Sequence, residues 1–201
     1  MGIAYNRTQI IQGALNLLGY GTIQAIQGTP AAEVMDNLYD GLMAADLGSP
    51  NWRFASKVQN LSQIAGVDPG FMFYNTAYQI PPDCLAIWQV WPPVPYEVFG
   101  EQIWTTGVQQ LQIQYRALGT ESKYPPAYIQ YFMYLLACTV GPGSVDNPTI
   151  LAQLNADMNK WRTQAMVVNT QGRPNKGLGN SPWVNSRPAG SFYLNNNNGN
   201  P

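Results

Sequence analysis

The stretch Gly48-Ser49-Pro50-Asn51-Trp52-Arg53-Phe54-Ala55 marks the change from a helical to a β-rich part of the chain. Apolar residues recur at helical spacing before it, and alternate as in β-strands from it to about residue 120. The Gly-Ser-Pro at its start is typical of a helix end. Trp52 and Phe54, two residues apart, would face the same side of an extended chain, so we predict that both belong to the structural core.

Two helices are predicted between residues 8 and 47. Thr8 is the expected N-cap of the first helix, and the second begins with Thr29 as its cap and Pro30 at its first position. Asp46, near the end of the second helix, is expected on or near the water-facing side. The apolar residues predicted to face the core from this second helix are Ala31, Val34, Met35, Leu38, Leu42 and Ala45.

Residues 53–118 are predicted to form a small antiparallel β-region. Residues 84–90 are a nearly continuous apolar run, which predicts a strand buried on both faces. A hairpin is predicted around Gly100. Over residues 110–116 the apolar and polar side chains alternate, so one face, with Leu111, should point inward while Arg116 and the glutamines point outward.

Two further helices are predicted between residues 125 and 168. The third is apolar nearly all round, which indicates a central position. The fourth has Asn147 as its cap, and its apolar residues, Trp161 among them, recur at helical spacing, so Trp161 is assigned to the structural core. Residues 1–168 are thus predicted to be one α+β domain, a bundle of about four helices with the β-region inserted between the second and third.

Residues 169–201 are predicted to form an extended C-terminal arm. Nine Asn, five Gly and four Pro leave too few apolar groups to offset the entropy of ordering this segment alone. Aromatic residues within such a segment are expected to bind another surface, although a solvated tail without a function remains the alternative. The residues predicted to contact a partner are Arg173, Trp183, Arg187, Phe192 and Tyr193.

Charge is scarce and unevenly distributed. Only 10% of the residues are charged, so copies of the chain repel each other weakly, as suits a subunit packed among others; a neutral monomer is the alternative. Residues 1–168 hold seven basic and eleven acidic side chains, a net charge of −4, which does not favour binding to phosphates. Residues 169–201 hold three basic side chains and no acid.

No catalytic or metal-binding pattern is recognisable. The chain has no histidine, which excludes histidine-based zinc sites and Ser-His-Asp or Cys-His catalysis. The two cysteines, Cys84 and Cys138, lie in apolar runs and are expected to be buried free thiols. The acids form no motif. We therefore expect a protein that is not an enzyme, without cofactor or metal, and neither exported nor inserted in a membrane.

The order of several short motifs carries a family resemblance over about residues 8–168. The motifs are Leu17-Leu18-Gly19, Pro50-Asn51-Trp52-Arg53-Phe54, Tyr78-Gln79-Ile80-Pro81-Pro82-Asp83-Cys84-Leu85, the stretch 96–104, Leu111-Gln112-Ile113-Gln114-Tyr115 and Tyr124-Pro125-Pro126-Ala127-Tyr128-Ile129. In this order they resemble the head-to-tail adaptor, or tail tubular protein A-like, family of short-tailed bacteriophages.

This resemblance implies a structural function in the virion neck. It implies a ring of twelve copies, assembled in the bacterial cytoplasm, between the portal protein and the tail nozzle protein. The ring would continue the channel through which double-stranded DNA is retained and ejected, without sequence-specific contacts. The arm would bind the portal or a neighbouring subunit.

Two other classes of function stay open. A virion-associated cell-wall hydrolase would clear a peptidoglycan suspension and lose that activity when one Asp or Glu is replaced. A monomeric module that binds a host factor would be distinguished by its mass, alone and mixed with portal protein.

Overall fold

The computed structural model describes residues 5–22, 26–27, 29–49, 52–66, 73–145 and 147–171. The chain divides into two units, Met1–Thr170 and Gln171–Pro201. Only Gln171 of the second unit is described, so nearly all of the predicted arm lies outside the described residues. Within the described ranges, no helix combines the length and apolar character needed to cross a membrane.

Four α-helices and an antiparallel β-region make up the described body. The helices are α1 (Arg7–Leu17), α2 (Pro30–Leu47), α3 (Pro126–Val140) and α4 (Pro148–Gln171), with short 3-10 helices at Glu121–Lys123 and Gly141–Gly143. All β-strands of the described residues lie between α2 and α3. This confirms the predicted α+β class with a β-region inserted between the second and third helices.

The start of α1 differs from the prediction. The N-cap is Asn6 and not Thr8. The Asn6 side chain accepts a hydrogen bond of 2.8 Å from the backbone N–H of Gln9, and the Gln9 side chain accepts one of 3.0 Å from the backbone N–H of Asn6. This reciprocal pair satisfies two N–H groups that a helix start leaves unpaired, so it fixes where the helix begins.

The central helix of the body is α3, as its apolar sequence predicts. It packs against α1 and α2, and its residues Tyr128, Phe132 and Leu136 are fully buried. The core around it also contains Ile10 and Leu15 of α1. Because α1 and α2 both turn an apolar face to α3, this one helix organises the packing of the first three helices.

The predicted core face of α2 is wrong by about one position along the helix. The residues that α2 buries are Ala32, Met35, Tyr39, Met43 and Leu47, whereas Val34 and Leu38 are exposed. Asp46, expected near water, is half-buried against α3. The helix has apolar side chains over more than one face, so periodicity alone did not select the face that packs.

The β-region forms two antiparallel sheets. Its strands are β1 (Ser56–Asn60), β2 (Gln63–Ile64), β3 (Thr76–Gln79), β4 (Cys84–Trp91), β5 (Tyr96–Phe99), β6 (Gln102–Thr105) and β7 (Gln112–Ala117). One sheet has the order β1-β7-β4 and the other β2-β3-β6-β5. Tyr78, Ile103, Leu111, Ile113 and Tyr115 are the fully buried centre of a second core.

The β5–β6 hairpin turns at Gly100 and Glu101, as predicted. Gly100 has a φ of +59°, while no described residue other than glycine has a positive φ. A positive φ at the first turn residue only is the pattern of a type II′ turn, which matches the twist of the flanking strands. A glycine is therefore required at position 100.

Two predictions about the three-stranded sheet are wrong. β4 is not buried on both faces: it lies at the sheet edge, only Val90 is buried, and bulges interrupt its pairing with β7 at Leu85 and Trp88. Arg116, predicted to face water, is buried beneath Trp88, with its guanidinium carbon 5.0 Å from the ring centroid. Cation–π contact with the indole and a hydrogen bond donated to the Ser56 hydroxyl offset the cost of burying this charge.

Candidate functional site

The aromatic residues predicted for the core meet on α3. Trp52 is fully buried, and its ring centroid lies 4.9 Å from that of Tyr128. The ring centroid of Phe54, which is half-buried, also lies 4.9 Å from that of Tyr128. Both residues belong to the bent connection between α2 and β1 and not to a strand. Trp161 of α4 is half-buried against the same helical core.

A buried polar cluster, formed by Asp46, Trp52, Tyr128 and Tyr131, lies within this aromatic core. Tyr131 donates a hydrogen bond of 2.9 Å to Asp46. The Trp52 indole N–H and the Tyr128 hydroxyl also interact with the Asp46 carboxyl, although neither they nor Asp46 Oδ2 has a partner at full hydrogen-bond geometry. The cluster connects the end of α2, the following connection and α3.

Burial dominates the protonation of this cluster. It raises the pKa of Asp46, while the hydrogen bond from Tyr131, the nearby polar groups of Tyr128 and Trp52 and the charge of Arg162 act in the opposite direction. Burial and the nearby Asp46 carboxylate raise the pKa of both tyrosines, so their hydroxyls stay protonated donors. Sequence patterns gave no sign of this cluster, because its members come from three separate elements.

Three further carboxylates of the described body, those of Asp36, Asp40 and Asp83, form salt bridges. Arg7 binds Asp36 at 2.5 Å and Asp40 at 2.8 Å, which ties the start of α1 to α2. Lys57 binds Asp83 at 2.5 Å. Asp36 and Asp40, neighbours on one helix face, therefore clamp a single arginine.

Asp83 and Tyr115 are coupled across the β-region. The Tyr115 hydroxyl lies 3.1 Å from both Asp83 Oδ1 and Gln59 Oε1. Burial opposes ionisation of Asp83, but the hydrogen bonds from Lys57 and Tyr115 and the Lys57 charge together lower its pKa. Burial and the Asp83 carboxylate raise the pKa of Tyr115 to about 12.

The cysteines have the character of structural thiols. Cys84 and Cys138 are free and half-buried, and burial raises the pKa of each thiol. A raised pKa leaves little of the reactive thiolate at neutral pH. Among the described residues, no three His, Cys, Asp or Glu side chains are grouped closely enough to hold a metal ion.

A groove of about 540 Å³, lined by both polar and apolar atoms, lies between the two sheets. It lies between β4 and β5, the edge strands of their respective sheets. Its wall includes Ile80, Pro81, Leu85, Ile87, Tyr96 and Val98. The neighbouring side chains of Trp88 and Phe99 are exposed. The exposed apolar side chains beside the groove suit contact with another chain.

All five residues predicted to bind a partner, Arg173, Trp183, Arg187, Phe192 and Tyr193, lie outside the described residues.

Comparison with known proteins gives no family assignment. No protein-family model matches the chain, and a search of curated proteins likewise finds no match. The resemblance to head-to-tail adaptors therefore stays a prediction from sequence motifs.

Proposed function

We propose that this chain is a structural subunit of a phage head-to-tail connector, a ring between the portal and the tail nozzle. The observation that carries the proposal is the order of elements, with an antiparallel β-region inserted between α2 and α3 of a four-helix body. A helical bundle bearing a small antiparallel β-region is the architecture that the adaptor resemblance implies. Since a fold alone does not determine function, the surfaces must also suit this role.

The exposed apolar side chains support a role as a subunit that packs against other subunits. Trp88 is 54% exposed, Val98 47% and Val34 47%, and they belong to different parts of the body. Only 10% of the residues are charged. Contacts with neighbouring chains would remove these apolar groups from water, which favours assembly.

The charge of the body suits a channel through which DNA must slide. Residues 1–168 carry a net charge of −4. Each phosphate contact from a basic side chain would strengthen binding and slow passage. A ring with few available cations would enclose DNA of any base sequence and bind it only weakly, so that the DNA can slide.

The arm is the proposed attachment to the portal or to a neighbouring subunit. Trp183, Phe192 and Tyr193 would fill apolar pockets, and Arg187 would pair with acidic side chains. The arm's three cations and absence of acids complement an acidic surface.

Truncation of the arm tests this proposal, and the truncated chain must keep the whole of α4. Asn169 Oδ1 accepts a hydrogen bond of 2.8 Å from the backbone N–H of Arg53, so removal of Asn169 would disturb the body itself. The test variant therefore ends at Gln171, the last residue of the helix. Its far-ultraviolet circular dichroism and melting temperature should match those of the full chain.

Binding to the portal protein of the same phage is measured by light scattering coupled to chromatography, with cryo-EM of the complex. The full chain should form a ring on the portal, and the truncated chain should bind weakly. Equal binding by the two chains would remove the arm from the proposal. A full chain that stays monomeric with portal present would overturn the connector function.

A further inference from the structure

The second core, between the two sheets, is open on the side where β4 and β5 lie. Val98 pairs directly with Ile103, and Tyr96 pairs with Thr105, so the side chains of each pair lie on one face of the four-stranded sheet. Ile103 and Thr105 are fully buried, whereas Val98 is 47% exposed and Tyr96 is 38% exposed. The described chain therefore covers this face over β6 and leaves it open over β5.

The groove between β4 and β5 leads directly into this core. Ile80, Cys84 and Ile87 line the groove and also pack against the buried residues of the second core. Tyr96 and Val98 line it from the β5 side. Apolar side chains placed in the groove would thus extend the second core and remove both of these exposed residues from water.

The backbone of β5 indicates that the occupant is an extended segment. Phe99 and Gln102 flank the two-residue turn, so they form a hydrogen-bonded pair, and such pairs alternate along the hairpin. Tyr96 and Val98 consequently turn their backbone N–H and C=O groups away from β6, and no described strand pairs with β5 on that side. A strand added there would bind these groups and send alternate side chains into the groove. The edge of β4 is less suitable, because bulges interrupt its pairing with β7.

The arm contains a segment with the pattern that this site requires. Phe192-Tyr193-Leu194 is the longest apolar run of the sequence after Gln171. Aromatic residues are favoured in strands. In an extended conformation Phe192 and Leu194 would face one side and Tyr193 the other, so two apolar side chains would enter the groove together.

Charge and reach also favour the arm. Among the described residues that line the groove, the one charged side chain is that of Glu101, and the arm has three cations and no acid. Nineteen residues separate Gln171 from Ser191. Fully extended, that many residues span up to about 65 Å. A folded body of this size has a diameter of about 40 Å, so the segment is able to reach an adjacent copy.

We propose that residues 191–194 of one copy add as a strand to β5 of a neighbouring copy, with Phe192 and Leu194 in the groove. This inference rests on the proposed ring and names the surface that the arm binds there. The arm and the groove are two different surfaces, so every copy of a ring gives one arm and receives another.

A fluorescein-labelled peptide of residues 187–197 tests the site by fluorescence anisotropy with the full chain. We expect saturable binding. Val98→Lys in the full chain places a cation in the groove and should raise the dissociation constant about tenfold or more. Val58→Lys is the matched control, at a similarly exposed apolar position on the edge strand β1, and should leave binding unchanged. Both variants should keep the circular dichroism spectrum of the wild type.

Substitutions in the peptide test the extended conformation. Phe192→Ser and Leu194→Ser should each weaken binding about tenfold, whereas Tyr193→Ser should weaken it less than about threefold. Equal losses at all three positions would contradict a strand that buries alternate side chains.

Amide hydrogen exchange of the full chain, followed by NMR, tests pairing with β5. The N–H groups of Tyr96 and Val98 should exchange at least about tenfold more slowly when the peptide is bound. Those of Glu97 and Phe99 already bond to β6 and should change little. Binding without slower exchange at Tyr96 and Val98 would overturn strand addition.

The peptide also distinguishes the source of the arm. Binding to the chain that ends at Gln171, but not to the full chain, would show that each copy fills its own groove, which overturns exchange between neighbours. Binding to neither chain overturns the site. A ring that still forms on the portal in those cases leaves the proposed function standing, whereas a full chain that binds the peptide but forms no ring on the portal refutes the connector function and not the strand site.

Discussion

Tyr131 donates a hydrogen bond of 2.9 Å to Asp46, and this bond joins α3 to the last turn of α2. A hydrogen bond to a charged group contributes about 1.5–3 kcal/mol when its loss leaves the partner unsatisfied. We therefore expect Tyr131→Phe to lower the free energy of unfolding by about 2 kcal/mol, as measured by urea denaturation at neutral pH.

The matched control for this variant is Tyr134→Phe. Tyr134 lies on the same helix, and the structure shows no hydrogen bond for its hydroxyl among the described residues. Its replacement should change the free energy of unfolding by less than about 0.5 kcal/mol. Equal losses in the two variants would show that the hydroxyl at position 131 has no special role.

The raised pKa of Asp46 predicts an unusual dependence of stability on pH. Between its ordinary pKa of 3.8 and the raised value in the folded protein, the folded state binds the Asp46 proton more tightly than the unfolded state does. The contribution of Asp46 to stability is therefore present below that window and is lost as pH rises through it.

Asp46→Asn should remove this dependence, because the amide resembles the protonated acid and does not titrate. The difference in unfolding free energy between wild type and variant, measured from about pH 4 to about pH 7, isolates Asp46 from the other carboxyls. We expect the wild type to lose stability relative to the variant as pH rises. A difference that stays constant, or grows in favour of the wild type, would contradict the raised pKa.

The helices and their order were predictable because their signals are local. Pro126 occupies the first position of α3, and the Asn147 side chain accepts a hydrogen bond of 3.0 Å from the backbone N–H of Thr149 at the start of α4. Such caps and breaks act within a few residues. The sequence therefore indicated the number of helices and the place of the β-region between them.

The faces and the polar core were not predictable, because they depend on residues distant in the chain. α2 has apolar side chains on more than one face, and its packing against α1 and α3 decides which face is buried. Arg116 looks like a surface residue in its strand, but Trp88 of the neighbouring strand covers it. The Asp46 cluster combines the end of α2 with Tyr131, 85 positions later. No pattern among neighbouring residues of the sequence indicates contacts between residues so far apart in the chain.

The pair of Asp83 and Lys57 predicts the opposite pH behaviour from Asp46. The pKa of Asp83 is lowered in the folded protein, so its contribution is present above its ordinary pKa and is lost as pH falls through the lowered value. Both side chains are partly exposed, which limits this contribution to about 0.5–1 kcal/mol. Asp83→Asn should therefore destabilise the protein at neutral pH by about that amount.

Glu101→Gln is the control for Asp83→Asn, since Glu101 forms no salt bridge within the described residues. The cost of Asp83→Asn should shrink as pH falls below about 4, where the wild-type carboxyl takes up its proton. It should also shrink in high salt. If Glu101→Gln costs as much as Asp83→Asn at neutral pH, the Lys57 pair adds nothing beyond general charge balance.

Replacing Trp52 and Trp88 one at a time compares the stability contributed by the aromatic core with that contributed by a surface contact. Trp52 is 1% exposed and contacts Phe54, Tyr128 and Tyr131, with ring centroids 5.8, 4.9 and 5.6 Å away. Its replacement by alanine leaves a cavity that a close-packed core cannot fill, so we expect Trp52→Ala to lower the free energy of unfolding by about 3–5 kcal/mol.

Trp88 is 54% exposed and mainly covers Arg116, so Trp88→Ala should lower the free energy of unfolding by about 1 kcal/mol. Urea denaturation of both variants beside the wild type checks the order, and a larger loss for Trp88→Ala would mean that the β-region, and not the aromatic core on α3, limits the stability of the body.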